Sequence, residues 1–496
     1  MRFPRSSGSL LHPTSLPGPY GIGDLGAEAL RFVDWLSLSG QQVWQVLPLG
    51  PTGYGDSPYQ CFSAFAGNPY LVSPDRLVED GLLSATEAAA HPVFPDSIVD
   101  FGPVIRWKQA LLARAANAFS ANPSHPLQAE FAAWCRAQSW LEDYALFMAL
   151  KDAHGGASWE TWPQRLRARE PKALADAKAN LASGVHANQF AQWCFDRQWQ
   201  SVREYAHSRG IELLGDAPIF VSYDSADVWV RPDLFHLDAA GRPTVVAGVP
   251  PDYFSETGQL WGNPLYRWEQ LAKEDFAWWA ERLRAALRQV DRIRLDHFIG
   301  FTRYWEIPAG APDARHGQWR PGPGSALFEA LERRLGKLPL VAEDLGEISA
   351  DVMALRDRFE FPGMRILQFG FTGPENPFLP HQHVPNALVY SGTHDNDTAL
   401  GWWETSPDVE RDFARRYLGV DGHDFAWDLI RAGMMSVADG FIAPIPDLLS
   451  LGGEARMNLP GRAAGNWGWR LAAGALTPEL AARWRSLAVL YSRCKD

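Results

Sequence analysis

FAWWAERLRAALRQVD (276–291) runs without a break into RIRLDHF (292–298). The first segment places its apolar residues at helical spacing. The second alternates Ile293 and Leu295 with Arg294 and Asp296, the period of a strand, and ends on an acid and a histidine. The same helix-then-strand unit recurs on both sides. AEALRFVDWLSLSG (27–40) precedes QQVWQVLPLG (41–50), and RQWQSVREYAHSRG (197–210) precedes IELLGDAPIFV (211–221). ALFEALERRLGK (326–337) precedes LPLVAEDLG (338–346), and GMRILQFGF (363–371), NALVYSGTHD (386–395) and MMSVADGFIAPIPDLL (434–449) follow. Apolar strands alternating with helices point to a parallel sheet covered on its outer face.

With NPYLVSP (68–74) taken as the second strand, the count reaches the eight that a (β/α)8 TIM barrel needs. An open doubly wound sheet is the alternative. It would want a glycine-rich phosphate turn after an early strand, and neither G-x-G-x-x-G nor G-x-x-x-x-G-K-[ST] occurs. The reading is therefore α/β, one barrel domain over residues 1–496. A mostly helical insertion is expected at about 75–196, between the second and third strands, because 127–155 is helix-rich. A second insertion, rich in Pro, Gly and aromatics, is expected at about 222–275, between the third and fourth. The stretch SGSLLHPTSLPGPYGIGDLG (7–26) reads as a loop of turn residues leading to a helix N-terminus.

Composition narrows the function. A net charge of −12 disfavours nucleic acid as a partner, because phosphate binders carry basic patches. No apolar run approaches the roughly 18 residues of a membrane span. The N-terminal residues lack the apolar core of a signal peptide, so a cytoplasmic location is expected. Cys61, Cys135, Cys194 and Cys494 are widely spaced, which suggests neither a disulfide framework nor a zinc site. The 22 Trp residues are a surplus that core packing or a stacking surface for flat ligands could explain.

Three strands end in acids or their partners. RIRLDHF brings Arg294, Asp296 and His297; LVAEDLG brings Glu343 and Asp344; VYSGTHDND brings His394, Asp395 and Asp397. In a barrel these strand ends converge on one face. Arg294 and Asp296 share a strand face, so the guanidinium favours the ionised carboxylate, as a nucleophile needs. Glu343 emerges from Leu340, Val341 and Ala342, where a carboxyl can stay protonated as a general acid. One ionised and one protonated acid suit glycosidic bond cleavage. Singly, such acids are often helix caps, and Asp344 reads as an N-cap for the following helix. His381 and His383 form an H-x-H without further ligands, a weak metal signal.

At these residues the chain resembles the 4-α-glucanotransferases of glycoside hydrolase family 77, in the α-amylase clan. Long strings carry the resemblance: SLPGPYGIGDLG (15–26), YGDSPYQCFSAFAGNPYL (54–71), GDAPIFVSYDSADVW (215–229), GVPPDYFSETGQLWGNPLY (248–266), RLDHFIGFTRYWEIPA (294–309), VAEDLG (341–346), GTHDNDT (392–398) and RMNLPGRAAGNWGWR (456–470). The resemblance implies a retaining double displacement on α-1,4-glucans, maltooligosaccharides and glucose, with no cofactor and no catalytic metal. It implies that Asp296 is the nucleophile, Glu343 the acid/base and Asp395 the third acid, holding sugar hydroxyls. Arg294, His297, His394 and Asp216 would surround the reacting sugar, with Ser57, Tyr59 and Asn466 on the donor side. The loop 248–264 would be a lid over the acceptor side, with Tyr253 and Phe254 at its tip and Gln259, Trp261 and Asn263 behind them. A hydrolase of the same clan would use the same three acids. A non-catalytic glucan-binding protein would keep only the aromatic plates, and a barrel enzyme of phosphorylated metabolites would want a phosphate site after its last strands.

Overall fold

The computed structural model describes residues 3–251, 255–346, 349–462 and 464–494. Eight parallel strands form one sheet: β1 (Ser6–Leu10), β2 (Val43–Gln45), β3 (Glu212–Ala217), β4 (Arg292–Leu295), β5 (Leu340–Ala342), β6 (Gly363–Ile366), β7 (Ala387–Tyr390) and β8 (Gly440–Pro444). The hydrogen-bonded order is β6-β7-β8-β1-β2-β3-β4-β5. Ala342 N–H donates to Pro362 O at 2.8 Å. Met364 N–H donates to Asp344 Oδ1 at 2.7 Å, so the seam between β5 and β6 is bridged. Helices Ala27–Leu38, Ala182–Ser208, Ala277–Gln289, Ser325–Leu335, Ala350–Arg358 and Phe425–Met435 each lead into the next strand on the outside of the barrel. Between β6 and β7 the chain makes only the short 3-10 turns Leu367–Phe369 and Pro380–Gln382.

The strand count is right but one strand was misplaced. NPYLVSP is no strand: Asn68 caps Tyr70 N–H at 2.9 Å, Pro69–Leu71 is a 3-10 turn, and Pro74 opens a helix. The missing strand is β1, from the stretch expected to be loop. Its polar look is deceptive, because Ser6, Ser7 and Ser9 are fully buried and Ser9 Oγ donates to Ala443 O at 2.8 Å. Gly8 is small by necessity, since a Cβ there would collide with Val43 of β2.

Between β2 and β3 lie the helices Pro74–Glu79, Phe101–Ala121, Gln128–Ala137, Leu141–Ala153 and Pro171–Asn180, before the long helix into β3. Lys151, on the fourth of these, makes an ion pair with Asp224 at 2.5 Å and lies over the Phe62 ring at 4.8 Å. It thereby ties the helical segment to the loops after β2 and β3. Asp227 accepts from Ala64 N–H at 2.8 Å, and Ala226 N–H donates to Phe62 O at 2.8 Å. Between β3 and β4, Val245–Val249 and Gln259–Pro264 pair antiparallel. They join Arg303–Pro308 and Gln318–Pro321, from after β4, in a separate four-stranded sheet. Two different connections thus build one small sheet beside the barrel, which the sequence patterns did not foretell.

The C-terminal residues close the barrel floor. Arg493 is fully buried, and its guanidinium donates to Met434 O, Ser6 O, Asp439 O, Gly433 O, Ser436 O and Ala438 O at 2.7–3.4 Å. Burial and nearby Arg5 push its pKa down to about 9 despite Asp439. One side chain therefore satisfies carbonyls that lead into β1 and β8. Arg493→Met is expected to lower the thermal midpoint by several degrees, since each stranded buried carbonyl costs about 1–3 kcal/mol before water replaces the donor. Calorimetry checks this; an unchanged midpoint would show the clamp to be dispensable.

Candidate active site

The carboxyl ends of the strands carry a continuous set of polar side chains. On β3, Asp216 has its side chain fully buried, and its Oδ2 accepts from Tyr59 Oη at 2.9 Å and from Arg294 Nη1 at 2.7 Å. On β4, Arg294 Nη1 also donates to Asp296 Oδ1 at 3.0 Å. One guanidinium thus bridges two carboxylates, as the two-residue strand period requires. Asp296 is partly open, with 28% of its side chain exposed, whereas Arg294 is nearly closed off. Burial raises the Asp216 carboxyl above the ordinary carboxylate range, Arg294 opposing it.

Glu343 follows β5 directly. Its Oε2 accepts from the His297 backbone N–H at 2.7 Å. That amide is aimed by an uncommon backbone: His297 has φ 52° and ψ 54°, left-handed for a non-glycine residue. Such a conformation costs about 1–2 kcal/mol and persists where its surroundings hold it. Burial holds the Glu343 carboxyl well above its usual value; Arg294 and the His297 amide oppose this, while Asp296 and Asp344 add to it. Burial also pushes the His297 imidazole down to about 4, against the pull of Asp296.

Asp395 lies beyond β7, with 45% of its side chain exposed. Its Oδ1 accepts from Asn458 Nδ2 at 2.6 Å, and Oδ2 lies 3.3 Å from His394 Nε2. Partial burial on its own would raise this carboxyl; His394, Asn458 and Arg294 outweigh it and hold it below the ordinary range. The His394 ring stacks on Tyr59, with centroids 5.1 Å apart and planes at 19°. The three acids therefore differ in setting: Asp296 pairs with a guanidinium, Glu343 is desolvated, and Asp395 is held ionised by donors.

The remaining expected residues fall into four groups. Ser57 Oγ accepts from Tyr59 N–H at 3.2 Å and so shapes the turn that presents Tyr59. The Trp261 ring meets His297 edge-on at 4.8 Å, and its Nε1 donates to Gln259 Oε1 at 3.1 Å. Asn263 is buried; it donates to Val221 O at 2.9 Å and accepts from Gln60 at 3.3 Å. These contacts bind the Gln259–Pro264 strand to the loops after β2, β3 and β4. Asn466 lies further out, its carbonyl accepting from Leu459 N–H at 2.9 Å and its amide donating to Arg462 O at 2.9 Å. Its polar atoms close its own loop and do not meet the acids. Tyr253 and Phe254 lie outside the described residues.

One expectation changes. Asp344 is no helix cap: it is buried, pairs with Arg356, and accepts from Met364 N–H across the β5–β6 seam, while Ser349 stands at the start of the following helix. In the H-x-H pair, His383 bonds Ser436 Oγ and Phe378 O at 2.8 and 2.9 Å, and His381 bonds Tyr417 Oη at 2.8 Å. Both serve packing, and among the described residues no group of three or more His, Cys, Asp or Glu is placed to hold a metal ion.

The sequence reading passed over His12, Asn458 and Trp467. His12 follows β1, and burial and nearby His394 push its imidazole down to about 3. Trp467 packs against Tyr59 and His394 at centroid distances of 5.8 and 5.9 Å. With Met457 and Thr14, His12 and Trp467 line an open cleft. A second cleft reaches from Tyr59 and Asp216 to Cys61 and Arg282.

A parallel (β/α)8 barrel whose strand ends gather a guanidinium-paired acid, a desolvated acid and a bridging arginine defines a barrel enzyme that breaks glycosidic bonds. The comparisons with known proteins make this particular. The family model described as 4-alpha-glucanotransferase matches residues 11–477. A 4-alpha-glucanotransferase of Thermus thermophilus is 53% identical over 99% of this chain and 100% of its own length. One of Synechocystis is 49% identical over 99% of this chain and 98% of its own. The amylomaltase of Streptococcus agalactiae, solved in complex with acarbose, superposes with a TM-score of 0.96 at 37% identity, covering 99% of this chain and 100% of that one. The chain belongs to the 4-α-glucanotransferase family of enzymes.

Proposed function

We propose that this enzyme cleaves an α-1,4-glucosidic bond and passes the glucan segment to the 4-hydroxyl of glucose or another maltooligosaccharide, with retention. The observation that carries the reading is the shared Arg294 bridge beside a desolvated Glu343. Asp296 attacks the anomeric carbon, the bond to the leaving oxygen breaks, and that oxygen takes the Glu343 proton. Glu343, now a carboxylate, takes the proton of the acceptor 4-hydroxyl as its oxygen attacks the anomeric carbon and the ester to Asp296 breaks. Asp395 holds sugar hydroxyls, and Asp216, Tyr59, Arg294, His297 and His394 surround the same sugar. Ser57 and Asn466 shape the donor side, and Tyr253, Phe254, Gln259, Trp261 and Asn263 form the acceptor side. We read 248–264 as a lid that excludes water and so favours a sugar acceptor.

In the same reading, residues 1–496 are one catalytic domain, with insertions at about 75–196 and about 222–275. Its four cysteines are free among the described residues, which supports a reducing, cytoplasmic setting. No helix of the described residues is long and apolar enough to cross a membrane. The acidic balance speaks against nucleic acid as a partner.

Incubation with maltotriose tests the activity. Glucose together with oligosaccharides longer than the substrate is the expected product pattern. Only shorter sugars with rising reducing ends would show a hydrolase instead, and no turnover would leave a glucan-binding protein.

A further inference from the structure

Asp395 is fixed from a segment that no sequence motif had assigned to it. Asn458 lies in the connection after β8, yet its Nδ2 donates to Asp395 Oδ1 at 2.6 Å, and its backbone N–H donates to His394 O at 3.1 Å. Arg456, two residues earlier, donates from Nη2 to the Asp395 backbone carbonyl and from Nε to Asn458 O, both at 2.7 Å. Behind them the Asn466 amide closes the loop onto Leu459 and Arg462. Trp467 N–H donates to Met457 O at 2.7 Å. The Asp395 main chain and carboxylate are thus gripped by one clamp.

We infer that Asn458 is a positioning residue for the transfer reaction, holding the Asp395 carboxylate in its sugar-binding orientation through Oδ1 and leaving Oδ2 to His394 and the sugar. This rests on the reading of Asp395 as the acid that holds sugar hydroxyls. A carboxylate with one oxygen occupied by an amide donor cannot rotate without breaking a charge-assisted bond. The charged and titratable groups around it are His394 on its own segment, Arg294 from β4, Tyr59 from the loop after β2 and Arg456 from the clamp. Asn458 contributes a neutral donor to this set, so its removal shifts Asp395 without changing the net charge.

The test is a double-mutant cycle of Asn458→Ala and Asp395→Asn, read as kcat/KM for maltotriose against pH. Asn458→Ala is expected to lower kcat/KM by about 10- to 100-fold, the range of outer-shell partners, and to move the acid limb to higher pH. On the Asp395→Asn background the same change is expected to cost no more than about threefold, because its partner charge is gone. Asn458→Ser, which keeps a short donor, should give an intermediate rate and limb, and supplies the same readout should the alanine chain not fold. An unshifted acid limb with additive losses would overturn the positioning role. Were Asp395→Asn to keep the wild-type rate, the role of Asp395 itself would fall. Asn458→Ala losing rate beside it would then show that Asn458 acts elsewhere, which also overturns the inference.

Discussion

Asp296→Asn is expected to lower transfer from maltotriose by about 10,000-fold or more, while affinity for a long maltooligosaccharide stays within a few fold. Loss of a covalent nucleophile removes a bond, so no other group makes up the rate. The asparagine has the same shape, and its carbonyl can still accept from Arg294 Nη1. Arg294 also keeps Asp216, at 2.7 Å, so the polar ladder need not rearrange. Because Asp296 is 28% exposed and Asp216 fully buried, the charge that anchors Arg294 structurally is that of Asp216. Chromatography of maltotriose products and calorimetric titration with maltoheptaose separate turnover from binding. Residual turnover above one part in a hundred would move the nucleophile to another acid of the cluster; lost binding would make Asp296 a structural charge.

Most of this site was legible because its acids are anchored to strands whose apolar runs are long enough to read. Arg294 and Asp296 could be placed on one face from the two-residue period alone, and Glu343 could be seen leaving Leu340, Val341 and Ala342. What escaped was held by contacts far apart in sequence. β1 looked like loop because its serines are buried, with Ser9 Oγ bonding Ala443 O of β8, so burial left no apolar trace. Asp344 looked like a cap because its partners, Arg356 at the far end of the next helix and Met364 N–H across the β5–β6 seam, leave no local pattern. Asn458 carries no signal of its own: an asparagine in a Gly- and Pro-rich stretch reads as a turn residue until the fold brings it to Asp395. The tryptophan surplus divides in the same way. Thirteen of the 22, Trp44, Trp199 and Trp229 among them, are buried, so most of it is packing. Trp261 and Trp467 meet the site histidines; the resemblance pointed to Trp261, and only the barrel geometry adds Trp467.

Glu343→Gln is expected to lower kcat on maltotriose by about 100- to 10,000-fold, the span of a lost general acid/base, and to make the protein more stable. Both follow from one desolvated carboxyl. Burial raises its pKa in the fold above the unfolded value, so the folded chain binds this proton more tightly than the unfolded one. The stabilisation it brings is complete below the unfolded value and is lost as pH rises from there through the folded value. Glutamine has no proton to lose and can still accept from His297 N–H. The thermal midpoint of Glu343→Gln should therefore match the wild type at pH values below the ordinary glutamate range and exceed it increasingly toward neutrality. In the wild type the alkaline limb of kcat/KM marks loss of the same proton. A substrate whose leaving group needs no protonation, such as an aryl maltooligosaccharide with an acidic phenol, should form the glycosyl-enzyme in Glu343→Gln far faster than maltotriose does. If that substrate slows as much as maltotriose, Glu343 is not the acid; if the midpoint gap stays constant with pH, its burial does not govern its proton.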